Sequence, residues 1–298
     1  MNVLEITNLS KLYKNKKAVE NIEFVLKEKK CTALLGPNGA GKTTTLNMIA
    51  GLLSPTTGGI RSPLLNEKQD LRTMIGFLPQ YPSFYGWMSG KEYMMFAGEV
   101  CGLTKKEAET RTGSLLQLVG LEEAKNRRIN QYSGGMKQRL GIAQALIHKP
   151  KLILLDEPVS ALDPFGRREV LELMKRLKEE TTILFSTHIL NDAEEISDYV
   201  LFMNEGKLIE SGSLKEVRDR NTEKMFKLQF SQSASTFAPL FSQYEINIYE
   251  DTMVMNIQDD ERAKNDVFQI VLRENLPLLK FEQSNPSLED IFMKVVKK

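Results

Sequence analysis

The octapeptide Gly36-Pro37-Asn38-Gly39-Ala40-Gly41-Lys42-Thr43 limits the possible folds of this chain more than any other stretch. It fits the pattern G-x-x-x-x-G-K-[S/T] at every position. An apolar run, Thr32-Ala33-Leu34-Leu35, precedes it, and Leu46, Ile49, Ala50 and Leu53 follow at helical spacing. Strand, glycine loop and helix, in that order, form the context in which such a loop binds phosphate. Triphosphate oxygens have to be met by many donors at short range, and glycines let consecutive backbone N–H groups turn inward. Lys42 would reach the β- and γ-phosphates and Thr43 would ligate Mg²⁺, with Thr44 beside them in the first helical turn. The helix offers its positive N-terminal end to the same anion.

A second strand, Leu152-Ile153-Leu154-Leu155, ends in Asp156-Glu157. Two carboxylates after a strand are ordinarily surface charge. Behind a complete phosphate loop they are expected at the carboxyl edge of the same sheet. Asp156 would hold Mg²⁺ through water, and Glu157 would polarise an attacking water as general base. Between the two motifs, Ser133-Gly134-Gly135 opens a helix whose apolar stripe is Met136, Leu140, Ala143 and Ile147, stopped by Pro150.

A phosphate loop, a Ser-Gly-Gly turn and a Walker B strand in this order resemble the ATP-binding-cassette (ABC) ATPases, over residues 1 to about 215. Members of that family build each active site from two copies of the fold. The resemblance implies that Tyr13 stacks on adenine and that Gln80 touches Mg²⁺ and water. It implies that Ser133, Gly134 and Gly135 bind the γ-phosphate held by an opposite protomer, where the dipole of the following helix would also act. Asp163, in Ser160-Ala161-Leu162-Asp163, matches the loop that crosses the dimer interface and is also a good N-cap ahead of Pro164. His188, in Ser186-Thr187-His188, matches the histidine that contacts the γ-phosphate. The other histidine, His148, is expected at the surface. The family pattern usually has Leu before the signature serine and Gln after the glycines; here Tyr132 and Met136 stand there, while Gln138 and Arg139 follow as expected.

The aromatics Tyr81, Phe84, Tyr85, Trp87, Tyr93 and Phe96 fall where the family seats a helix of its membrane subunit. They could equally form the core of a helical subdomain. The resemblance implies ATP and Mg²⁺ as cofactors and a dimer of nucleotide-binding subunits, a homodimer being favoured. It also implies an integral-membrane permease as partner and a cytoplasmic place on the inner face of the membrane. The ending Pro286-Ser287-Leu288-Glu289-Asp290-Ile291-Phe292 resembles the tail of ATPases from drug, antibiotic, sodium or polysaccharide exporters.

Composition limits the alternatives. At 298 residues, with 41% hydrophobic and 27% charged residues, the chain has the make-up of a globular protein of one or two domains. A formal charge of +1 gives no reason to expect nucleic acid as a partner. Cys31 and Cys101 form neither a disulfide framework nor a metal-ligand spacing. No run of roughly 18 apolar residues could cross a membrane, and the N-terminus does not read as a signal peptide. An ABC ATPase acting on chromosomes would need coiled-coil heptads between Lys42 and Asp156, and a ribosome-acting one a second cassette; neither is present. A regulatory protein that binds ATP without turnover is disfavoured because Glu157 and His188 are both in place.

The expected fold is α/β: a mixed, largely parallel sheet core with an antiparallel strand region and a helical subdomain near 82–150, all within residues 1–218. The polar stretch from Arg218 to Glu223 marks a boundary, and 223–298 form a small α+β accessory domain. Alternation at Phe226/Leu228/Phe230, Ile246/Ile248, Met253/Met255/Ile257 and Leu279/Phe281, with helical patterns near 234–243 and 260–273, reads as β-α-β-β-α-β. Ser287 and Asp290 resemble a capping box for a last helix.

Overall fold

The structure, a computed structural model, describes the chain except residues 15, 67, 222, 223, 258, 259, 285, 286, 297 and 298. The expectations placed on Glu223 and Pro286, and on the side chain of Ile257, lie outside the described residues. The chain divides into two compact units, Met1–Leu214 and Lys215–Lys298.

In the first unit, β1 (Asn2–Tyr13), β2 (Lys16–Lys27) and, further on, β4 (Thr57–Arg61) form an antiparallel sheet in the order β2-β1-β4. Between them β3 (Cys31–Leu35) leads through the glycine loop into α1 (Lys42–Ile49). β5 (Ile75–Leu78) precedes the helical subdomain of α2 (Gly90–Val100), α3 (Lys105–Leu118) and α4 (Gly134–Ala145). The chain then returns as β6 (Leu152–Asp156), α5 (Pro164–Leu177), β7 (Thr182–Thr187), α6 (Leu190–Ile196), β8 (Tyr199–Asn204) and β9 (Lys207–Ser213). The large sheet has the order β5-β6-β7-β3-β8-β9, parallel except that β9 runs antiparallel to β8. This is the mixed, largely parallel α/β architecture predicted from the sequence.

Every residue of β3, β6 and β7 is buried. Unbroken apolar runs suit strands covered on both faces, where polar alternation would leave groups unsatisfied. Because β5, β6, β7 and β3 are parallel neighbours, their carboxyl ends line one edge of the sheet, which is where ligands bind in such folds. Residues 36, 80, 156–157 and 188 all follow those ends.

The helices begin where the sequence supplies caps. Ser89 with Glu92 and Thr104 with Glu107 form capping boxes at α2 and α3. Ser133 caps α4 by accepting from the Met136 N–H (3.2 Å), and Asp163 caps α5 by accepting from the Gly166 N–H (2.7 Å). α4 ends at Ala145, so Ile147 of the expected stripe falls beyond the helix, although it is buried.

The second unit begins a few residues ahead of the polar stretch. α7 (Leu214–Arg220) already starts at the division, ahead of the expected boundary at Arg218. Then come β10 (Lys224–Phe230), β11 (Glu245–Tyr249), β12 (Thr252–Ile257), α8 (Asp260–Arg273), β13 (Leu278–Ser284) and α9 (Leu288–Val296). The antiparallel order β11-β12-β10-β13 is that of the split β-α-β arrangement. Its first expected helix is absent: residues 234–241 form two 3-10 turns, Ala234–Thr236 and Ala238–Phe241. Pro239 has no N–H for an i→i−4 bond, and the short Ser/Thr side chains favour turns. Phe226, Leu228 and Phe230 pack with Val267, Ile270 and Val271 of α8 in a separate core.

Candidate functional site

A cleft of about 460 Å³ at the carboxyl edge of the sheet is lined by Tyr13, Lys16, Ala18, Asn38, Gly39, Gly41, Lys42, Thr43, Thr44, Gln80 and Glu157. Local packing dictates the glycines of its loop. A Cβ on Gly36 would lie 2.2 Å from the Met203 carbonyl oxygen. Gly41, the N-cap of α1, has φ 106°, and a Cβ there would lie 2.5 Å from the Ala18 carbonyl oxygen. Both positions need the absence of a side chain.

Lys42 is 5% exposed, and its ammonium donates to the carbonyls of Gly36 (2.7 Å) and Pro37 (3.2 Å). It also lies 3.4 Å from Glu157 Oε1. Glu157 is 6% exposed and has φ 47°, a left-handed conformation that costs a non-glycine residue about 1–3 kcal/mol. Its backbone N–H donates to Ser186 Oγ (2.9 Å), and its second carboxylate oxygen faces His188 Nδ1 at 2.9 Å. Glu157 is thus held between a cation and an imidazole.

Asp156 lies one residue deeper and is 1% exposed. Burial pushes its carboxyl above the usual carboxylate range, opposed by hydrogen bonds from the side chains of Ser186 and Thr43, with the Glu157 charge adding to the rise. Ser186 Oγ donates to Asp156 Oδ1 at 2.5 Å. Thr43, Asp156 and Gln80 supply hard oxygen atoms of the kind Mg²⁺ takes. Among the described residues no group of three or more His, Cys, Asp or Glu could hold a metal ion.

Tyr13, at the end of β1, is half-exposed at the cleft mouth, with Lys11 Nζ 5.3 Å from its ring centroid. Gly36, Pro37, Ala40, Asp156 and His188 are not among the residues that line the cleft, although Gly36, Pro37, Asp156 and His188 contact residues that do. Ser133, Gly134, Gly135 and Asp163 lie elsewhere on the same chain. A Cβ on Gly134 would lie 3.8 Å from a side-chain carbon of Leu162, and one on Gly135 3.7 Å from the Gly166 Cα in the first turn of α5. Ser133 and Gly134 are exposed. One copy of the chain therefore does not gather all the candidate residues around one cleft.

Sequence reasoning passed over Ser186 and the Arg167–Asp192 pair and placed His148 wrongly. Ser186 ties Asp156 to the Glu157 backbone; its place in Ser186-Thr187-His188, aligned with Asp156 in the β6–β7 register, is the signal that could have found it. Arg167 Nε donates to Asp192 Oδ1 (2.8 Å), joining the helix after Asp163 to the helix after His188. Burial pushes the Asp192 carboxyl up, and Arg167 pulls it back. His148, expected at the surface, is half-buried, with Nε2 3.1 Å from the Ile75 carbonyl. The aromatics divide by burial. Tyr93 is buried and Phe84 half-buried against it, with centroids 5.2 Å apart, while Tyr81, Tyr85, Trp87 (68% exposed) and Phe96 face outward.

A phosphate-loop cleft at the carboxyl edge of this α/β sheet defines a nucleotide-binding ATPase, and comparison with known proteins gives the family. The family model for ABC transporters matches residues 19–160, and that for the C-terminal domain of DrrA1-3-like ATP-binding proteins matches 212–296. The chain is 46% identical to the uncharacterised ABC transporter ATP-binding protein YxlF of Bacillus subtilis (strain 168), covering 99% of both. It is 32% identical to the bacitracin transport ATP-binding protein BcrA of Bacillus licheniformis, covering 99% of this chain and 97% of that one. Among solved structures, an ATP-binding subunit of an ABC transporter matches with 32% identity and a TM-score of 0.65, over 73% of this chain and 92% of the other. A dimeric cassette in a post-hydrolysis state with ADP and Pi matches with 28% identity and a TM-score of 0.63, over 71% and 98%.

The chain belongs to the ABC transporter family as an ATP-binding subunit. It is an ATPase that works with a separate membrane permease. No helix among the described residues is long and apolar enough to cross a membrane.

Proposed function

We propose that this subunit hydrolyses MgATP in a site shared by two copies of the chain and so drives export through a permease. The observation that carries the reading is the placement of Glu157, fixed between Lys42 and His188 at the rim of the phosphate cleft. Lys42 and the loop N–H groups would bind the β- and γ-phosphates, and Tyr13 would cover the adenine. Thr43, Gln80 and, through water, Asp156 would hold Mg²⁺, which when bound supplies charge neutralisation between the phosphates. Glu157 would accept a proton from the attacking water, while His188 would contact the γ-phosphate. Ser133, Gly134, Gly135 and the N-terminus of α4 would close on that phosphate from a second copy, with Asp163 at the interface. Their absence from the lining of the cleft within one chain supports this division.

The reading implies a homodimer, a cytoplasmic position on the membrane's inner face, and no nucleic-acid partner. Relatives named for bacitracin transport and linearmycin resistance support export of an antibiotic-like compound. Glu157→Gln should bind MgATP, lose about 10²–10⁴-fold in turnover and accumulate as an ATP-bound dimer on size exclusion, because an amide cannot take the proton. Wild-type turnover would overturn the assignment.

The outward aromatics form the permease dock in this reading. Tyr85 stands 6.2 Å from Trp87 and 5.8 Å from Phe96, an apolar cluster of the kind that anchors interfaces. Trp87→Ala should reduce copurification with the permease and leave MgATP affinity unchanged. Unchanged copurification, with lowered thermal stability, would place Trp87 in the core instead.

A further inference from the structure

Residues 86–91, just ahead of and within the first turn of α2, run beside 125–130, the stretch that leads into the Ser133 turn. Backbone bonds join them: Asn130 N–H to Gly86 O (3.1 Å), Ile129 N–H to Met88 O (2.9 Å), Gly90 N–H to Arg127 O (3.3 Å) and Lys91 N–H to Lys125 O (2.8 Å). Ser89 and Arg128 form an antiparallel bridge in the middle. Such a ladder shifts as a unit, because moving one side leaves several N–H groups without acceptors. Exposed Tyr85 and Trp87 lie at its Gly86–Asn130 end, the same end from which the chain runs on to Ser133.

Tyr132, immediately before Ser133, fastens the two sides. Its ring is 4% exposed and its hydroxyl donates to the Ala124 carbonyl at 2.8 Å. The same ring covers Gly90, the first residue of α2. A Cβ at position 90 would lie 2.2 Å from the hydroxyl oxygen and 3.2 Å from the ring carbon that bears it. Gly90 is not among the glycines with positive φ, so its backbone conformation would accept alanine. The tyrosine ring alone excludes a side chain there. A leucine, the residue usual at this place in the family, could neither reach Ala124 O nor put an oxygen against Gly90.

We propose that Tyr132 is a positioning residue for Ser133-Gly134-Gly135, locking that turn to the start of α2 so that the Trp87 face and the γ-phosphate-binding turn move as one body. The inference rests on the reading that Ser133 acts on nucleotide held by a second copy. It adds the physical link between the outward aromatic face and that turn.

The test uses the full chain and three readouts: MgATP affinity at concentrations where the protein is monomeric, ATP-dependent dimer yield in a Glu157→Gln background, and turnover. Gly90→Ala should leave monomer affinity within about 2-fold and lower dimer yield and turnover on the order of 10- to 100-fold, as a shift of about 1 Å in a reacting group does. Tyr132→Phe should change the same two readouts in the same direction by less. In a Tyr132→Leu background Gly90→Ala should cost almost nothing, a coupling that general loss of fold does not produce.

Wild-type turnover in Gly90→Ala, or an equal loss in the Tyr132→Leu background, would overturn the proposal. If Gly90→Ala does not fold, Tyr132→Phe decides alone, and wild-type dimer yield and turnover in that variant would overturn it. Ser133→Arg serves as the reference. If it leaves turnover intact, the shared-site reading fails and the inference with it; if it abolishes turnover while the Gly90 and Tyr132 variants stay normal, only the inference fails.

Discussion

His148 shows how much one side chain's surroundings decide. Its Nε2–H is spent on the Ile75 carbonyl, and burial holds the imidazole below its ordinary pKa and so neutral. A base with a depressed folded value contributes stability that is fully present above its unfolded value, about 6.5, and is lost as pH falls below it. His148→Gln keeps a donor for Ile75 and removes the titration. Between about pH 7.5 and 5.5 the wild type should therefore lose more thermal stability than His148→Gln. Equal losses would show that the imidazole charges freely in the fold. The sequence placed this histidine at the surface because a polar residue before Lys149-Pro150 reads as a helix end; only the third dimension brings β5 to it. The phosphate loop and the Asp156-Glu157 pair were legible because each is contiguous and follows an apolar strand, whereas His188 was picked out only by the family resemblance. Ser186 was not, since a serine in an apolar strand carries no pattern until its register opposite Asp156 is known.

At the scale of elements, helix starts were readable and cross-connections were not. Asp163-Pro164 and Ser133 announced α5 and α4 because capping is local. The segment at 234–241 was misread as a helix because Pro239 and its small polar neighbours outweigh the apolar spacing. The Arg167–Asp192 pair belongs to the unreadable kind. It joins α5 to α6, and Asp192 is almost wholly buried while Arg167 is a third exposed. Arg167→Ala should cost about 3 kcal/mol at neutral pH, the lower end for a buried pair that loses one partner, because solvent already screens the guanidinium. Burial has raised the Asp192 carboxyl, and loss of Arg167 raises it further. A carboxyl raised in the folded state costs stability above its folded value, and that cost vanishes as pH falls to its unfolded value. The deficit of Arg167→Ala against wild type should therefore shrink towards about pH 4 in urea titrations. A deficit independent of pH would mean that the contact works through packing alone.

At the scale of the whole molecule, the two units carry different work. Every candidate for nucleotide chemistry lies in Met1–Leu214, while Lys215–Lys298 builds its own core on a four-stranded sheet. The phosphate cleft and the Ser133 turn are separate surfaces of the first unit, and the central claim is that they meet between copies. Lys42→Ala removes the cation of the cleft, and Ser133→Arg blocks the turn that serves the partner's cleft. Each variant alone should be inactive as a homodimer. A two-fold pair containing one of each has one site with both defects and one with neither. An equimolar mixture of the two inactive proteins should thus recover ATPase activity, up to about a quarter of wild type if chains pair at random. A mixture that stays as inactive as its components, while size exclusion shows that mixed dimers form with ATP, would contradict the shared site.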